Sequence, residues 1–284
     1  MKIQLKKAKT EATKRFHPWI FSGAIHSDTS EILEGTIVDV IDWNNNFIAK
    51  GHFQPSTIAV RILTFENEQI NQTFFNKRIT SSVELRKKLQ LISSENNITR
   101  LVHGEGDILP GLIIDYYNKV AVIQCHSIGM YQALPMIKEA LIHVLKEDLI
   151  AIYSKSTDTL PNRLEIKNEY IYGEVTVPHI AYENKIAYNI DWITGQKTGF
   201  FIDQRENRGL LKKYAKGKKV LNTFCYSGGF SLSAISGGAT FAHSLDSSKK
   251  AIDLTNSNIS LNKMENQHKS IVADTMEYIK ELPE

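Results

Sequence analysis

A short apolar run over residues 220–224 leads into the paired glycines Gly228 and Gly229, which predicts a buried strand that turns into a helix. Glycine has no side chain and takes positive φ freely, so such a turn lets the backbone approach a ligand. Residues 240–245 have the pattern of a second strand, and Asp246 follows them directly. A carboxylate at the tip of the second strand accepts hydrogen bonds from ribose hydroxyls in doubly wound nucleotide sites. The pattern therefore predicts a site for a cofactor that contains a nucleoside.

The turn does not match the dinucleotide fingerprint. A G-x-G-x-x-G turn needs three spaced glycines around a pyrophosphate, whereas Gly228 and Gly229 form a single adjacent pair. This disfavours a nucleotide-dependent oxidoreductase, which remains a weaker alternative. S-adenosylmethionine carries no phosphate and fits the turn better.

Four stretches of the chain resemble one family. Residues 220–230, 195–208, 17–23 and 104–112 are similar to the bacterial class I S-adenosylmethionine-dependent methyltransferases that make 5-methylcytosine in large-subunit (23S) rRNA. The resemblance covers nearly the whole chain. It implies a PUA-like RNA-binding domain, a Rossmann-like methyltransferase domain, S-adenosylmethionine as cofactor and rRNA as partner.

The predicted cofactor contacts combine the turn, the second strand and a third strand over residues 269–273. They are Asn222, Phe224, Tyr226, Ser227, Gly228, Asp246 and Asp274. The resemblance makes Asp274 an adenine contact, but aspartate is also a common helix N-cap, so a cap for the residues from Thr275 onward remains an equal alternative.

Composition restricts the class of protein. The 284 residues suit two or three domains, and 42% hydrophobic with 23% charged residues is ordinary for a globular protein. Cys125 and Cys225 form no metal-type pair, which indicates a reducing cytoplasm and no metal site. No apolar run approaches the roughly 20 residues of a membrane span. We therefore expect a cytoplasmic protein that makes no membrane contact.

We predict three domains, so the fold class is α/β and α+β multidomain. Residues 1–70 contain short apolar runs separated by turns and predict a small β-barrel, which the resemblance identifies as PUA-like. Its basic start supplies Lys14, Arg15 and His17 as RNA contacts, with Trp19 as a base-stacking candidate. The alternative, which we favour for Trp19, is that Trp19 and Phe21 are core residues.

Residues 71–180 predict a central α+β domain. A helix is expected over residues 72–92, a hairpin from residues 112–115 and 120–124, a helix over 130–146 and a strand over 150–155. Glu105 and Asp107 resemble a metal or acid–base pair. We favour turn chemistry for them, because no histidine or cysteine nearby completes a ligand set.

Residues 181–284 predict the N-terminal part of the methyltransferase domain, which is a partial Rossmann-like sheet. Asp203 and Glu206 have the spacing of a helix capping box. Residues 196–199 are small and polar and predict a loop over a cofactor or an RNA phosphate, with Lys197 as an RNA contact. Asn258 and Asn262 are predicted at a helix end, since asparagine tolerates the left-handed conformation.

The catalytic residue is not found in the sequence. Methylation at C5 of cytosine normally needs a thiolate that attacks C6, and in the resembled family the nucleophilic cysteine lies beyond the position of Glu284. We therefore expect a chain that lacks its catalytic C-terminal portion. An unpaired edge at strand 220–224 then favours self-association, with a homodimer as one form. The alternative function is an inactive protein that binds RNA and cofactor.

Overall fold

The computed structural model describes residues 1–161 and 165–280, and the chain divides into two compact units. Unit 1 comprises Met1–Gln90 and Arg100–Val175, and unit 2 comprises Leu91–Thr99 and Thr176–Glu284. The predicted domain boundaries at residues 70 and 180 stay predictions. Within the described ranges, none of the helices combines the length and the apolar character that a membrane crossing requires.

The N-terminal part of unit 1 is a small β domain, as predicted. Its elements are β1 (Lys2–Gln4), α1 (Glu11–Lys14), β2 (Trp19–Phe21), β3 (Ile37–Ile41), β4 (Phe47–Phe53) and β5 (Ile58–Thr64). The strand order is β1-β3-β4-β5-β2, with β1 parallel to β3 and the other pairs antiparallel. Alternate apolar side chains such as Val38, Val40 and Val60 form the core, because successive residues of a strand point to opposite faces.

Strand β2 corrects one expectation. Ile20 is 2% exposed, whereas Phe21 is 45% exposed and Trp19 is half-buried. The prediction that Trp19 and Phe21 belong to the core is therefore wrong, because the alternation of the strand gives the inward position to Ile20. The indole Nε1 of Trp19 instead donates to Glu105 Oε1 at 2.7 Å.

The rest of unit 1 contains a second five-stranded sheet and its helices. The elements are α2 (Gln72–Lys88), β6 (Ile98–His103), β7 (Leu112–Tyr117), β8 (Val120–Cys125), α3 (Ile128–Gln132), α4 (Leu134–Leu145), β9 (Ala151–Ser154) and β10 (Glu169–Tyr172). The order is β10-β9-β8-β7-β6. The predicted hairpin is confirmed as β7 and β8, joined by Asn118 and Lys119, both at positive φ. Such a two-residue turn matches the twist of antiparallel strands.

Two details of this region differ from or refine the expectations. The predicted single helix over residues 130–146 is two helices, because Pro135 has no amide hydrogen and is tolerated only in the first turn of α4. Asp107 accepts from Arg86 Nη2 at 2.8 Å and from the His103 amide at 2.6 Å. Its carboxylate therefore stabilises the turn, in agreement with the turn chemistry that we favoured.

Unit 2 contains a hairpin and a parallel sheet with helices between its strands. The elements are β11 (His179–Glu183), β12 (Ile186–Ile190), α5 (Arg205–Tyr214), β13 (Lys219–Thr223), α6 (Gly229–Ser236), β14 (Phe241–Asp246), α7 (Lys249–Leu261), β15 (His268–Val272) and α8 (Thr275–Lys280). The sheet order is β13-β14-β15, and both pairs are parallel. This confirms the Rossmann-like arrangement. Among the described residues, β13 pairs with β14 alone.

Candidate cofactor site

A cavity of about 390 Å³ lies in unit 2 beyond the carboxyl ends of β13 and β14. One wall is a loop that follows β12 and contributes Asp191, Thr194, Gln196 and Phe201. The other wall comes from the turn after β13 and from the start of α7, with Phe224, Tyr226, Asp246, Ser248 and Lys250. In open parallel sheets, ligands bind in crevices at the carboxyl ends of the strands. The cavity is therefore in the position that the sequence predicted for a cofactor.

The turn after β13 has an unusual backbone. Phe224, Tyr226 and Gly228 all have positive φ, at 55°, 47° and 73°. A Cβ on Gly228 would lie 2.7 Å from Thr255 Cγ2, so glycine is needed there for space as well as for conformation. Backbone strain of this kind clusters at functional sites, where the surrounding structure holds it in place.

Helix α7 supplies the groups that hold this turn. Thr255 Oγ1 donates to the carbonyl of Tyr226 at 3.0 Å, and Asn258 Nδ2 donates to the carbonyl of Ser227 at 2.9 Å. Residues three apart lie on the same face of a helix, so one face of α7 meets two successive carbonyls. Asn258 also accepts from the Asn189 amide at 2.8 Å. One buried side chain thus joins the turn to β12.

Asp246 organises the floor of the cavity. Its Oδ2 accepts from the Tyr226 amide at 3.1 Å, and its Oδ1 accepts from the Ser248 amide at 2.9 Å. These two bonds fix the plane of the carboxylate. Each oxygen can accept more than one hydrogen bond, so acceptor capacity remains for a ligand in the cavity.

The two walls carry side chains of opposite charge that meet at Thr194. Asp191 accepts from the Thr194 hydroxyl at 2.6 Å, and Lys250 Nζ donates to the same hydroxyl oxygen at 3.0 Å. Burial alone raises the pKa of Asp191, but the hydrogen bonds from Thr194 and Ile193, with the charge of Lys250, hold it below its ordinary value. The cavity therefore offers an ionised carboxylate from one wall and an ammonium group from the other, joined through the Thr194 hydroxyl.

Aromatic rings form part of the remaining surface. Phe201 meets Tyr226 edge to face, with 5.1 Å between the ring centroids, and the Gln196 amide donates to the Tyr226 hydroxyl at 3.3 Å. Burial raises the pKa of Tyr226, and the charge of Asp191 adds to that effect. The phenol therefore stays neutral and fixes the loop against the turn.

A buried ion pair positions Phe201. Arg208 donates to Glu183 through Nε at 2.6 Å and through Nη2 at 2.7 Å, and its Nη1 donates to the carbonyl of Phe201 at 3.0 Å. The Arg208 and Glu183 side chains are 4% and 1% exposed. A two-pronged guanidinium–carboxylate pair is geometrically specific, so this pair defines where the loop returns to α5.

The structure separates the predicted cofactor residues into two groups. Phe224, Tyr226 and Asp246 line the cavity. The others do not line it. Asn222 Nδ2 donates to Ser231 Oγ, and Ser227 and Gly228 belong to the turn whose backbone α7 holds. Asp274 Oδ1 accepts hydrogen bonds from the amides of Met276 and Glu277. Asp274 therefore makes the bonds expected of a helix N-cap, which was the alternative to a ligand contact. Its contact with adenine stays a prediction.

Two further expectations need correction. The N-cap of α5 is Gln204, with no side-chain capping bond, because Asp203 lies inside the 3₁₀ turn Ile202–Gln204. The predicted capping box of Asp203 and Glu206 is therefore wrong. The predicted helix end is confirmed for Asn262, which is the C-cap of α7, but its φ is −97° rather than left-handed. Asn258 lies within α7, so its predicted position at the helix end is wrong.

Sequence reasoning missed Asp191, Thr194, Phe201, Ser248 and Lys250. Phe201 stands in a stretch that already carried the family resemblance, and that was a usable signal. The aspartate and the threonine have the spacing of a local side-chain-to-backbone turn, which alone indicates no ligand. Nothing in the sequence marked the lysine.

The two cysteines are buried thiols. Burial raises the pKa of Cys225, and the nearby charge of Asp246 raises it further. Burial raises the pKa of Cys125 to about 12. A thiol becomes a nucleophile when its pKa is lowered, so neither sulfur is activated. Within the described residues, no cluster of histidine, cysteine and acidic side chains has the arrangement of a metal site.

The predicted RNA contacts are all at the surface. Lys14, Arg15 and His17 are exposed at the end of α1 and just after it, and Lys197 is exposed in the loop wall of unit 2 with φ 52°. Their role in RNA binding stays a prediction.

Comparisons with known proteins agree with the fold and the cavity. A family model described as a PUA-like domain matches residues 3–65, and one described as an S-adenosylmethionine-dependent methyltransferase matches residues 100–280. The chain belongs to the S-adenosylmethionine-dependent methyltransferase family. The predicted PUA-like domain and the predicted cofactor are thereby confirmed.

Curated relatives extend over most of the chain. Ribosomal RNA large subunit methyltransferase I of Tolumonas auensis is 35% identical over 271 residues, which cover 93% of this chain and 67% of the relative. The protein of the same name from Shewanella amazonensis is also 35% identical, over 94% of this chain and 68% of its own. A solved structure from Streptococcus mutans, assigned to the SAM-dependent methyltransferases, has 25% identity and a TM-score of 0.82, covering 99% of this chain and 72% of its own.

Proposed function

We infer that this chain takes part in methyl transfer from S-adenosylmethionine to C5 of a cytosine in large-subunit rRNA. The observation that carries the inference is the 35% identity, over 93% of the chain, to a relative named ribosomal RNA large subunit methyltransferase I. The cavity at the ends of β13 and β14 supports it, because it supplies a site for the cofactor in the same chain.

The residues present fit S-adenosylmethionine. The cavity of about 390 Å³ is within the usual range of small-molecule sites. Asp246 accepts from the ribose hydroxyls, as carboxylates at this position do in doubly wound folds. Asp191 and Lys250 have the charges to meet the ammonium and the carboxylate of the amino-acid part. The bound cofactor supplies an electrophilic methyl group on a sulfonium.

Aromatic residues complete the fit. Phe201, Phe224 and Tyr226 line the cavity, and a ring face attracts a cation such as a sulfonium as well as packing against a base. Asn222 and Asp274 complete the proposed cofactor contacts, together with the backbone at Ser227 and Gly228.

RNA binding is assigned to exposed basic groups in both units. Lys14, Arg15 and His17 lie at the surface of unit 1, and Lys197 lies at the surface of unit 2. Basic side chains bind phosphates through charge, with the release of condensed counterions. We infer that these residues hold the rRNA backbone.

The nucleophile remains the missing part of this function. An aromatic pyrimidine carbon reacts with a sulfonium methyl only after a nucleophile has added to the ring, and both thiols here are buried with raised pKa. We therefore assign neither thiol as the nucleophile, and the relatives, which match 93–94% of this chain, do not support the expected loss of a catalytic portion.

The raised pKa of both buried thiols favours a second candidate function. Without an activated thiol, the protein would bind rRNA and cofactor without turnover. The two candidates differ in one measurable property, which is the incorporation of methyl groups.

A labelled-methyl assay separates the candidates. Large-subunit rRNA is incubated with labelled S-adenosylmethionine and either the 284-residue chain or a chimera continued beyond Glu284 by the corresponding segment of a curated relative. Under the first candidate, we expect label at cytosine C5 with at least one of the two proteins. Label on another base would overturn the C5 assignment. Absence of label with both proteins, while cofactor still binds, would favour the second candidate.

A further inference from the structure

A second cavity, of about 480 Å³, lies in unit 1. Its lining includes Phe16, Phe65 and Ile108 as large apolar side chains, with Glu66, Arg78 and Glu105 as charged ones. The methyl-transfer chemistry of unit 2 gives these residues no role. Two of the stretches that carried the family resemblance, residues 17–23 and 104–112, meet beside it through the hydrogen bond from Trp19 to Glu105.

Phe16 occupies a position that normally belongs to glycine. It follows α1 with φ 64°, and the amides of Phe16 and His17 donate to the carbonyls of Thr13 and Ala12 at 2.9 and 3.0 Å. This pattern is a Schellman motif, whose left-handed residue is usually glycine because a Cβ is unfavourable there. The Phe16 side chain is nevertheless 70% exposed, and its ring meets Phe65 edge to face at 5.1 Å.

Ile108 repeats this arrangement in another segment. It follows the 3₁₀ turn Gly104–Asp107 with φ 57°, and the amides of Ile108 and Leu109 donate to the carbonyls of Glu105 and Gly104 at 3.1 and 3.0 Å. A β-branched residue at positive φ is a genuine outlier. The Ile108 side chain is 46% exposed, so burial of apolar surface does not compensate fully for the strain.

Two strained apolar residues therefore line one cavity from separate segments. Strained backbone persists where the surrounding structure enforces it, and it is concentrated at ligand sites. The Phe16 ring contacts Phe65, but Phe16 and Ile108 both remain exposed, so packing alone does not account for two large side chains at glycine-type positions. Their shared position points to a planar apolar ligand held between them.

The charged side chains of the cavity determine which polar groups such a ligand must present. Glu105 Oε1 is fixed by the Trp19 indole, while Oε2 has no hydrogen-bond partner in the described part of the chain. Arg78 Nη2 donates to the Leu63 carbonyl at 3.3 Å and lies 3.7 Å from Glu68 Oε1, while Nε is buried without a hydrogen-bond partner among the described residues. The cavity thus has an oriented acceptor and a guanidinium with unused donor capacity.

We propose that this cavity binds an unpaired guanine base of the RNA. Guanine presents two N–H donors on its Watson–Crick edge, which suit the Glu105 carboxylate, and acceptors at O6 and N7, which suit Arg78. An unpaired base stacks on an aromatic ring such as that of Phe16. The proposal rests on the proposed function only in taking RNA as the substrate.

The distribution of charge agrees with this orientation. Lys14 and Arg15 stand immediately before Phe16 and are exposed, so they suit the phosphates on either side of the base. Glu66 and Glu105 inside the cavity repel phosphate. The ribose–phosphate backbone therefore stays outside, and the base enters.

Calorimetric titration of the full chain with the four nucleoside monophosphates tests the proposal. We expect guanosine monophosphate to bind most tightly. Glu105→Gln should weaken that binding by about tenfold or more, because a charged acceptor is lost. The variant keeps a carbonyl oxygen for the Trp19 indole, so its fold should be retained.

Matched glycine variants separate ligand contact from strain. Phe16→Gly and Ile108→Gly relieve strain and remove the stacking surfaces, so both should weaken binding of guanosine monophosphate by at least about fivefold without lowering the melting temperature. Gln90→Gly is the control, since Gln90 also has positive φ, at 56°, and does not line the cavity. It should leave binding unchanged.

Three results would overturn the proposal. The first is equal affinity of the wild type for all four nucleotides. The second is equal affinity of the Phe16, Ile108 and Gln90 variants for guanosine monophosphate. The third is binding of an arginine-rich peptide in place of guanosine monophosphate. S-adenosylhomocysteine binding is measured on the same samples. If the wild type does not bind S-adenosylhomocysteine, the cofactor site proposed in unit 2 is wrong. The nucleotide titrations would still test the guanine site in unit 1 independently.

Discussion

The two cavities use the same backbone device in different ways. In unit 2, Phe224, Tyr226 and Gly228 have positive φ, and α7 holds the turn through side-chain bonds to its carbonyls. In unit 1, Phe16 and Ile108 have positive φ at the ends of short helical turns. The first site follows a sheet edge that many nucleotide-binding folds share, whereas the second depends on where two separate turns meet. General fold rules therefore locate the first site but not the second.

The largest effect is expected from the ion pair that positions the cofactor loop. Glu183→Gln leaves Arg208 buried without its counter-charge, so we expect a loss of about 3 to 5 kcal/mol in the free energy of unfolding. Urea denaturation monitored by circular dichroism measures it. Lys249→Ala is the control, because its ion pair with Asp253 is exposed, and it should change stability by less than about 0.5 kcal/mol. A similar small change for Glu183→Gln would show that the pair does not hold unit 2 together.

The contacts of α7 with the turn give the next prediction. Asn258→Ala leaves the Ser227 carbonyl and the Asn189 amide without partners, which should cost about 1 to 3 kcal/mol in stability and weaken S-adenosylhomocysteine binding. Asn262→Ala is a matched control, because Asn262 bonds the backbone of Ala187 at 2.7 and 3.0 Å without touching the turn.

The two asparagine variants should therefore differ in binding more than in stability. Thermal melts and calorimetry on the same samples make the comparison. Equal loss of cofactor affinity in both variants would mean that α7 acts through the overall stability of unit 2 rather than through the turn.

Adding a side chain at one residue with positive φ and removing one at another tests how the two cavities differ. Gly228→Ala places a Cβ at 2.7 Å from Thr255 Cγ2 and should lower stability by at least about 1 kcal/mol. Phe16→Gly should leave stability unchanged or raise it by up to about 1 kcal/mol. Chemical denaturation of both variants provides the measurement. Destabilisation by Phe16→Gly of more than about 1 kcal/mol would show that the ring is a packing residue.

The smallest effect is expected at Cys225. Its sulfur lies 3.5 Å from Thr255 Oγ1 and its thiol has a raised pKa, so it should remain protonated at neutral pH. Cys225→Ser should therefore leave methyl incorporation by the chimera within about twofold of the parent protein, since a protonated thiol is not the nucleophile. Loss of incorporation with retained cofactor binding would reopen the assignment of Cys225.

The regular elements were predictable because local patterns determine them. Short apolar runs separated by turns indicated the small β domain that contains β4 (Phe47–Phe53), and a carboxylate after a second strand located Asp246 at the cavity. These signals depend on short stretches of sequence and on rules that apply to all sheets. The predictions failed where the same short stretch of sequence can form more than one local structure. Asp203 has the spacing of a capping box, but a 3₁₀ turn before α5 uses its position.

Residues brought together over long sequence distances were not predictable. Asp191 and Lys250 meet through Thr194, and no local pattern links them. Phe16 and Ile108 gave no signal because helix-end rules favour glycine at their positions. A residue that contradicts local preference becomes informative only when the structure shows what it faces.

Calorimetric titration of S-adenosylhomocysteine into wild type and Asp246→Ala tests the central claim most directly. Loss of a charged acceptor for ribose should cost about 1.5 to 3 kcal/mol, or roughly tenfold to a hundredfold in affinity. Asp253→Ala serves as the control, since Asp253 lies on α7 and does not line the cavity. We predict that this control binds as the wild type does. Equal affinity in all three proteins would contradict the assignment of the cavity beyond β13 and β14 as the cofactor site.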